Sequence, residues 1–376
     1  MQQLQMVDLK SQYRKIKTEI DTAIINVIES TAFINGPDVT HFASELAEYL
    51  QVKHVIPCAN GTDALQIALM ALGLKPGDEV ITASFTYIAT VEVIALLHLT
   101  PVFVDVMPDS FTMDVEGVKK AITSKTKAII PVHLYGQSVD MEPLINLANE
   151  YSIPIIEDNA QAIGGTYTFA NGTVLKTGAM GTIGCTSFFP SKNLGAYGDG
   201  GAIFTNNDEL AQTIKMVANH GQKVRYYHEL VGCNSRLDSI QAAILRIKLR
   251  HLDEYCISRR AAADFYDNAF KNNEHIITPF RSPNAYHVFH QYTLQLENVD
   301  RDMVQQKLAE RNIPSMIYYP VPCHKQNMLK EYNCYNDILP VTNSLQNKVI
   351  SLPMHTELTI DNLKYITENL IDILNK

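Results

Sequence analysis

Several residue types and patterns are missing from this 376-residue chain. It has no tryptophan, and its six cysteines are scattered without a C-x-x-C pair, so we expect free thiols in a reducing compartment rather than a disulfide framework. No stretch reaches the ~20 apolar residues that span a bilayer, and the first residues lack the basic and apolar segments of a signal peptide. These absences predict a cytoplasmic protein without membrane association.

Positive charge is also scarce. The chain has 40 acidic and 31 basic residues, which gives a formal net charge of −9. Because such a surface repels phosphate backbones, nucleic-acid binding is not expected, although a local basic pocket for a phosphorylated small molecule is compatible with it. The length predicts two domains or one large α/β unit.

Apolar runs alternate with segments of helical periodicity from about residue 35 to residue 250. The runs at 54–57, 79–82 and 128–132 are typical of strands buried on both faces of a parallel sheet, because polar residues do not alternate within them. Their alternation with helices across short links that contain Gly and Pro predicts a doubly wound α/β domain. Ligands of such sheets bind beyond the carboxyl ends of the strands.

The pattern changes after about residue 165. Residues 237–255 predict one long helix, the sequence after residue 257 is more polar and irregular, and residues 361–374 predict a final amphipathic helix. We therefore predict a large domain over residues 1–254, which includes an N-terminal helix, and a smaller C-terminal α+β domain over residues 255–376.

One lysine, Lys192, follows a predicted strand and precedes a glycine-rich segment. Small neighbours allow a ligand to approach closely, and a desolvated lysine has a lowered pKa and can form a Schiff base with an aldehyde. An ordinary exposed loop lysine is the alternative. The glycines precede a strand instead of opening a helix, which argues against a dinucleotide fingerprint, and Phe189 occupies the serine position of an S-x-x-K motif.

Two further signals lie at predicted strand ends. Glu157 and Asp158 end a buried strand, where a carboxylate could hold a pyridinium nitrogen or cap a helix. Asn60, Gly61 and Thr62 stand at a strand-to-helix junction, which is a natural phosphate site, although such residues are also ordinary helix caps. Together with Lys192, these signals predict the three parts of one cofactor site.

The chain resembles the DegT/DnrJ/EryC1 family of pyridoxal-phosphate-dependent nucleotide-sugar aminotransferases over nearly its whole length. The motifs that carry the resemblance are Cys58-Ala-Asn-Gly-Thr-Asp-Ala-Leu, Pro76-Gly-Asp-Glu-Val, Glu157-Asp-x-Ala-Gln, Phe189-Pro-Ser-Lys-Asn-Leu-Gly, Gly198-Asp-Gly-Gly, Asn234-Ser-Arg-Leu-Asp and Gln241-Ala-Ala. The resemblance implies the aspartate-aminotransferase-like fold (fold type I), an α/β fold with a mixed, mostly parallel sheet and a smaller α+β domain.

The resemblance also implies roles for individual residues. Lys192 holds the cofactor and shuttles the substrate proton, Asp158 pairs with the pyridine nitrogen, Gln161 reaches the ring hydroxyl and Tyr87 stacks on the ring. The phosphate contacts are Asn60, Gly61, Thr62, Ser187 and, from the other subunit, Asn234. Arg236 is the expected anchor for substrate carboxylates and Tyr319 a candidate for the sugar pocket.

The implied reaction is ping-pong transamination in a homodimer with shared active sites. L-Glutamate donates the amino group and becomes 2-oxoglutarate, and a UDP-linked 2-acetamido-3-oxo hexose or hexuronate accepts it at C3 for surface polysaccharide or lipopolysaccharide synthesis. Asp199 favours C3 because members acting on C4 more often have Glu there. A dTDP-3-keto-6-deoxyhexose substrate and C4 amination are the alternatives within the family.

The sequence argues against three other functions. A dehydratase of the same family would have His in place of Lys192, a nicotinamide dehydrogenase would need the dinucleotide fingerprint, and a cofactor-binding regulator would normally add a basic DNA-binding module. We expect no metal site, because His287 and His290 lack carboxylate or thiol partners at ligand spacing. His220, which precedes a glycine, is as compatible with helix capping as with catalysis.

Overall fold

The computed structural model describes residues 4–332, 334 and 338–376. The helices are α1 Leu9–Lys15, α2 Lys17–Ser30, α3 Pro37–Leu50, α4 Gly61–Ala71, α5 Ala89–Leu96, α6 Val115–Ala121, α7 Met141–Tyr151, α8 Asp208–Ala218, α9 Ser239–Leu249, α10 Leu252–Phe270, α11 Arg301–Glu310, α12 Pro340–Leu345 and α13 Ile360–Leu374. The strands are β1 His54–Cys58, β2 Glu79–Ala83, β3 Thr100–Val104, β4 Thr126–Ile130, β5 Ile156–Asp158, β6 Thr166–Thr168, β7 Val174–Lys176, β8 Ile183–Ser187, β9 Gly201–Thr205, β10 Gln222–Val224, β11 Tyr227–His228, β12 Ile276–Ile277, β13 Ala285–Tyr286, β14 Tyr292–Leu296 and β15 Val349–Leu352.

A central sheet organises the larger part of the chain. Its strands follow the order β3-β2-β4-β5-β8-β9-β1, in which isolated backbone bridges join β4 to β5. β9 is antiparallel to both of its neighbours, β8 and β1, and the other pairs are parallel. The sheet is therefore mixed and mostly parallel, and the carboxyl ends of six strands meet at one edge.

Helices cover both faces of this sheet because its strands are apolar on both faces. One buried cluster joins α4, α5 and α8 to the sheet, and a second joins α6 and α7 to the opposite face. A third cluster packs α3 and α9 against β9 and the loop that leads into it. The loops at the carboxyl edge are thus carried on a rigid layered frame.

A smaller sheet, β12-β14-β15, packs against α10, α11 and α13 in a separate buried cluster. The prediction of one helix over residues 237–255 is wrong, because the helix ends at Leu249 and α10 begins at Leu252. Although the sequence after residue 257 is polar and irregular, α10 continues through it to Phe270. The buried face of α10 includes the charged residue Arg259, and this charge hides the helical repeat of its apolar side chains.

The predicted division between residues 254 and 255 falls inside α10 and stays a prediction. Within the described ranges, every helix is too short or too polar to cross a membrane.

Candidate active site

Glu157, the first of the two acids at the end of β5, is fully buried. Its carboxylate accepts hydrogen bonds from His133 Nε2 at 2.8 Å and from the backbone N–H groups of Gly178, Met180 and Gly181 at 2.8, 2.6 and 2.5 Å. Four donors match the acceptor capacity of a carboxylate. Glu157 therefore fixes the 178–181 turn and leaves no position for a ligand.

Asp158 stands at the carboxyl end of β5 and is 5% exposed. It accepts a hydrogen bond from Thr90 Oγ1 at 2.7 Å and another from the backbone N–H of Ala160 at 3.1 Å. A carboxylate can accept about four hydrogen bonds, so Asp158 keeps unfilled capacity. Thr90, in the first turn of α5, orients it and had no signal in the sequence.

The candidate phosphate site lies at the N-terminus of α4. Asn60 caps the helix by accepting a hydrogen bond from the backbone N–H of Asp63 at 2.8 Å. A Cβ atom on Gly61 would lie 2.6 Å from Cβ of Ser187, so only glycine lets the helix approach the end of β8 this closely. With Thr62 in the same turn, the backbone N–H groups and the helix dipole form a site suited to an anion.

Lys192 lies in the loop between β8 and β9, and its backbone N–H donates to the carbonyl of Phe189 at 2.8 Å. Its Nζ has no hydrogen-bond or ion-pair partner among residues 4–332, 334 and 338–376. Burial lowers the pKa of Lys192 to about 8, while the negative charge of Asp158 acts in the opposite direction. A much larger fraction of this amine than of an ordinary lysine is therefore neutral and nucleophilic near neutral pH.

Gln161 connects the end of β5 to a distant segment. Its Oε1 accepts a hydrogen bond from the backbone N–H of Tyr135 at 2.7 Å, and its Nε2 donates to the hydroxyl of Tyr319 at 3.0 Å. The Tyr319 ring lies 6.2 Å from the ring of Tyr87, which is 56% exposed. Burial raises the pKa of Tyr319, so its own O–H stays protonated and available to donate.

Asn234 and Arg236 flank an anchored residue. Ser235, 1% exposed, accepts a hydrogen bond from the backbone N–H of Ala59 at 3.0 Å, which places the segment beside the start of α4. The side chain of Asn234 is exposed, and that of Arg236 is partly exposed. In the described part of the chain, neither side chain has a hydrogen-bond or ion-pair partner, so the guanidinium of Arg236 is available to an anion.

The three histidines considered from the sequence lie in different settings. His220 is exposed in a left-handed turn with a φ of 57°, and its carbonyl accepts a hydrogen bond from the ring of His228. His287 and His290 are buried, and burial lowers the pKa of His287 to about 3 and that of His290 well below its usual value. Among the residues that the structure describes, no group of three or more His, Cys, Asp or Glu could hold a metal ion.

The model of the DegT/DnrJ/EryC1/StrS aminotransferase family matches residues 14–371. This chain belongs to that family.

Relatives of this aminotransferase cover almost all of it. It is 46% identical to UDP-2-acetamido-2-deoxy-3-oxo-D-glucuronate aminotransferase of Pseudomonas aeruginosa, over 96% of this chain and 98% of the relative. It is 44% identical to the pleiotropic regulatory protein of Geobacillus stearothermophilus, over 98% and 97%. It is also 44% identical to UDP-N-acetyl-3-dehydro-alpha-D-glucosamine 3-aminotransferase of Acidithiobacillus ferrooxidans, over 94% and 93%.

Solved aminotransferases share the fold. The structure of S. venezuelae DesV in complex with a ketimine intermediate matches with a TM-score of 0.95 and 38% identity, over all of both chains. Bacillus subtilis NtdA with bound cofactor PMP matches with a TM-score of 0.89 and 32% identity, over 96% of this chain and 82% of the other. The predicted family, fold class and enzyme class are confirmed.

Proposed function

We propose that this aminotransferase moves the amino group of L-glutamate to C3 of a UDP-linked 2-acetamido-3-oxo hexose or hexuronate. The products are 2-oxoglutarate and a 3-amino sugar nucleotide for surface polysaccharide or lipopolysaccharide synthesis, and a cytoplasmic location is part of the proposal. Two relatives named for UDP-linked 3-oxo sugars support the substrate class. Asp199 supports amination at C3.

The observation that carries this proposal is the arrangement at one sheet edge. The partnerless amine of Lys192, the partly filled carboxylate of Asp158 and the helix start at Gly61 stand at the ends of β8, β5 and β1, respectively. A reactive amine, a buried acid and an anion site are the three functions that pyridoxal phosphate requires of a protein.

The residues fit pyridoxal phosphate, which is the expected cofactor and the one carried by a solved relative in its PLP form. The close approach of Gly61 to Ser187 forms a cradle that a Cβ atom would fill, which suits the phosphate. Asp158 suits the protonated ring nitrogen, and Tyr87 and Gln161 suit the ring face and ring hydroxyl. When bound, the cofactor supplies an aldehyde and an electron-accepting ring.

The protein supplies binding and proton transfer. Since the pKa of Lys192 lies near 8, both protonation states of its amine are populated at neutral pH, and it would carry a proton between the reacting carbon of the substrate and the carbon of the cofactor's aldehyde group. Asp158 stabilises a proton on the group it faces. Tyr319, whose oxygen already accepts from Gln161, directs its own O–H to substrate or solvent.

A homodimer with shared active sites is part of the proposal. Asn234 and Arg236 follow the β10–β11 hairpin, whose apolar side chains Val224, Tyr226 and Tyr227 are 62–75% exposed. Ile34, 46% exposed, forms a backbone bridge with Asp238 beside the same segment. Exposed apolar residues around two unpartnered polar side chains favour a partner subunit at this surface.

The reaction is tested with the purified, cofactor-loaded protein. L-Glutamate is added with UDP-linked 2-acetamido-3-oxo sugars, neutral and uronate, with a dTDP-3-keto-6-deoxyhexose and with a 4-keto sugar nucleotide, and the aminated products are measured by mass spectrometry. We expect amination of a UDP-linked 3-oxo sugar at the highest kcat/KM. Preference for the dTDP sugar or the 4-keto sugar would replace the proposed substrate, and no amination of any would refute the proposal.

Sharing of the site is tested by mixing Lys192→Ala, which is inactive, with Arg236→Ala under conditions that exchange subunits, at a glutamate concentration far below the KM of Arg236→Ala, so that neither variant alone has appreciable activity. If Arg236 serves the partner's site, each mixed dimer contains one intact site, and we expect about a quarter of the wild-type activity to return. If Arg236 serves the site of its own chain, mixing restores nothing.

A further inference from the structure

α9 contacts the loop after Lys192 through two polar side chains that the proposed function does not use. Gln241 pairs with the backbone of Tyr197: it accepts from the Tyr197 N–H at 2.8 Å, and its Nε2 donates to the Tyr197 carbonyl at 3.5 Å. Lys248, two helical turns further along the same face, donates from Nζ to the carbonyl oxygen of Gly195 at 2.5 Å. Side chains of α9 therefore hold the backbone of the loop at two positions, three and five residues after Lys192.

The surroundings of Lys248 are unusual for a lysine. It is 1% exposed, no carboxylate of the described residues pairs with it, and its other contact is the ring of Tyr197, with Nζ 5.2 Å from the ring centroid. Burial lowers the pKa of Lys248 to about 7, and the positive charge of Arg259 acts in the same direction. Burying an amine costs free energy that an apolar side chain would avoid. What the amine contributes here is the bond to Gly195, which it can donate in either charge state.

The loop is tightly folded where Lys248 donates its hydrogen bond to Gly195. The N–H groups of Lys192 and Ala196 donate to the carbonyls of Phe189 and Phe188 at 2.8 Å, so the loop turns back on itself. A Cβ atom on Gly195 would lie 2.3 Å from the carbonyl oxygen of Pro190. Because the turn has no spare room, fixing the Gly195 carbonyl also fixes the path of the chain through Lys192.

α9 is itself anchored from another side. The guanidinium of Arg246 donates to Glu45 at 2.7, 3.0 and 3.1 Å and to Asp38 at 2.6 Å, both on α3. A bidentate pair of this kind adds geometric definition to a contact. The bond from Lys248 therefore connects the loop to a rigid helix pair.

We propose that Lys248 is a positioning residue for Lys192: by holding the Gly195 carbonyl, it sets the place of the reactive amine without touching substrate or cofactor. The inference rests on the proposed role of Lys192. Its test therefore has one readout in the unloaded protein and one that reports on Lys192 itself.

The first readout is hydrogen–deuterium exchange of the unloaded protein. Lys248→Met keeps the length and removes the donor, Lys248→Gln keeps an N–H donor, and Lys215→Met on the exposed face of α8 is the matched control. We expect Lys248→Met to raise exchange in peptides covering residues 188–198 about tenfold, as loss of one buried hydrogen bond does, with α3 unchanged. An equal rise in α3, or no rise at 188–198, would overturn the proposal.

The second readout is the rate at which Lys192 captures added pyridoxal phosphate, trapped with borohydride and located by mass spectrometry. We expect Lys248→Met to slow capture about tenfold through misplacement of the amine, Lys248→Gln to recover most of the rate, and Lys215→Met to match wild type. Equal rates in Lys248→Met and wild type would overturn the positioning role alone. Absence of capture by wild-type Lys192 would overturn the proposed function, and the positioning role with it.

Discussion

Two groups of charged side chains in this molecule differ in whether their hydrogen-bonding groups are paired within the chain. The support group, Glu157, Lys248 and Arg259, is buried, and each member is bonded within the chain: Arg259, for example, donates to the carbonyls of Phe289, His290 and Met354 at 3.0–3.1 Å. The cleft group, Asp158, Lys192 and Arg236, keeps hydrogen-bonding capacity unfilled. Glu157 and Asp158 are neighbours in sequence and belong to different groups.

The first group stabilises the fold, whereas the second is available to bind a ligand. A buried charge without partners costs free energy, so each member of the support group bonds to backbone carbonyls or N–H groups that it helps to place. The cleft group is left open because a ligand completes it. Unfilled capacity at a sheet edge therefore identifies the functional side chains better than burial does, since Lys192 and Lys248 both have pKa values lowered by burial.

The largest loss of activity is expected when Lys192, rather than any other lysine, is replaced. Lys192→Ala removes the reactive amine, so turnover should fall by more than about 10³-fold, and covalent capture of pyridoxal phosphate should disappear. Thermal stability should not fall, because the amine has no partner within the described chain. Activity assays, mass spectrometry and thermal unfolding, with Lys215→Ala as control, check this. An active Lys192→Ala variant would contradict the assignment of Lys192 as the reactive amine.

The adjacent acids provide the next contrast. Asp158→Asn should reduce kcat about 10²-fold while leaving the fold intact, because the charge facing the ligand is lost. Glu157→Gln should instead lower the free energy of unfolding by about 3 kcal/mol, because an amide NH2 group would replace one carboxylate oxygen and leave buried N–H donors without an acceptor.

Denaturant unfolding and kcat per folded molecule distinguish the two acids. Glu157 belongs to the support group and Asp158 to the cleft group only if stability falls in Glu157→Gln and activity falls in Asp158→Asn. The reversed pattern would exchange their roles.

Arg236 should show a smaller and more selective effect. Arg236→Gln should raise the KM for glutamate about 10- to 30-fold by removing a charge-assisted hydrogen-bond pair. Arg14→Gln, at an exposed arginine of α1, is the matched control and should change neither KM nor stability. Steady-state kinetics with glutamate varied checks this, and an unchanged KM would place Arg236 outside the substrate site.

Tyr319→Phe removes only a hydroxyl. The lost hydrogen bond from Gln161 and the lost donor should lower kcat/KM for the sugar about 3- to 10-fold, with the glutamate half-reaction nearly unchanged. Single-turnover measurements of each half-reaction check this. Equal losses in both halves would assign Tyr319 to the cofactor instead of the sugar.

The smallest expected effect is a shift in the pH at which the amine of Lys192 loses its proton. In the unloaded protein, the amine of Lys192 should become reactive toward aldehydes as pH rises through about 8, whereas an ordinary lysine does so near 10.4. Because the charge of Asp158 raises the pKa of Lys192, Asp158→Asn should move this midpoint to lower pH. Competitive labelling read by mass spectrometry measures both midpoints, and an upward shift would contradict the electrostatic contact.

Much of this site could be predicted from the sequence. The strand-to-helix junction at Asn60, the acids at 157–158 and Lys192 before a glycine-rich segment were recognisable, because each motif depends on local chain geometry. The helix break near His251 was not recognisable, because it depends on the packing of α10 in a second core. Thr90 and the bond between Gln161 and Tyr319 were also missed, since their partners are 68 and 158 residues away.

The sequence alone determined which chemistry this chain carries: the missing membrane segments and basic surface, the alternating elements and the ordered motifs all follow from residue type and short spacing. Only the tertiary structure decided which acid meets the ligand and which holds the fold, and which lysine is left without a partner. The physical reason is that hydrogen-bonding capacity is filled by groups distant in sequence. The open positions of Asp158 and Lys192 are therefore defined only once distant segments of the chain have packed around Glu157 and Lys248.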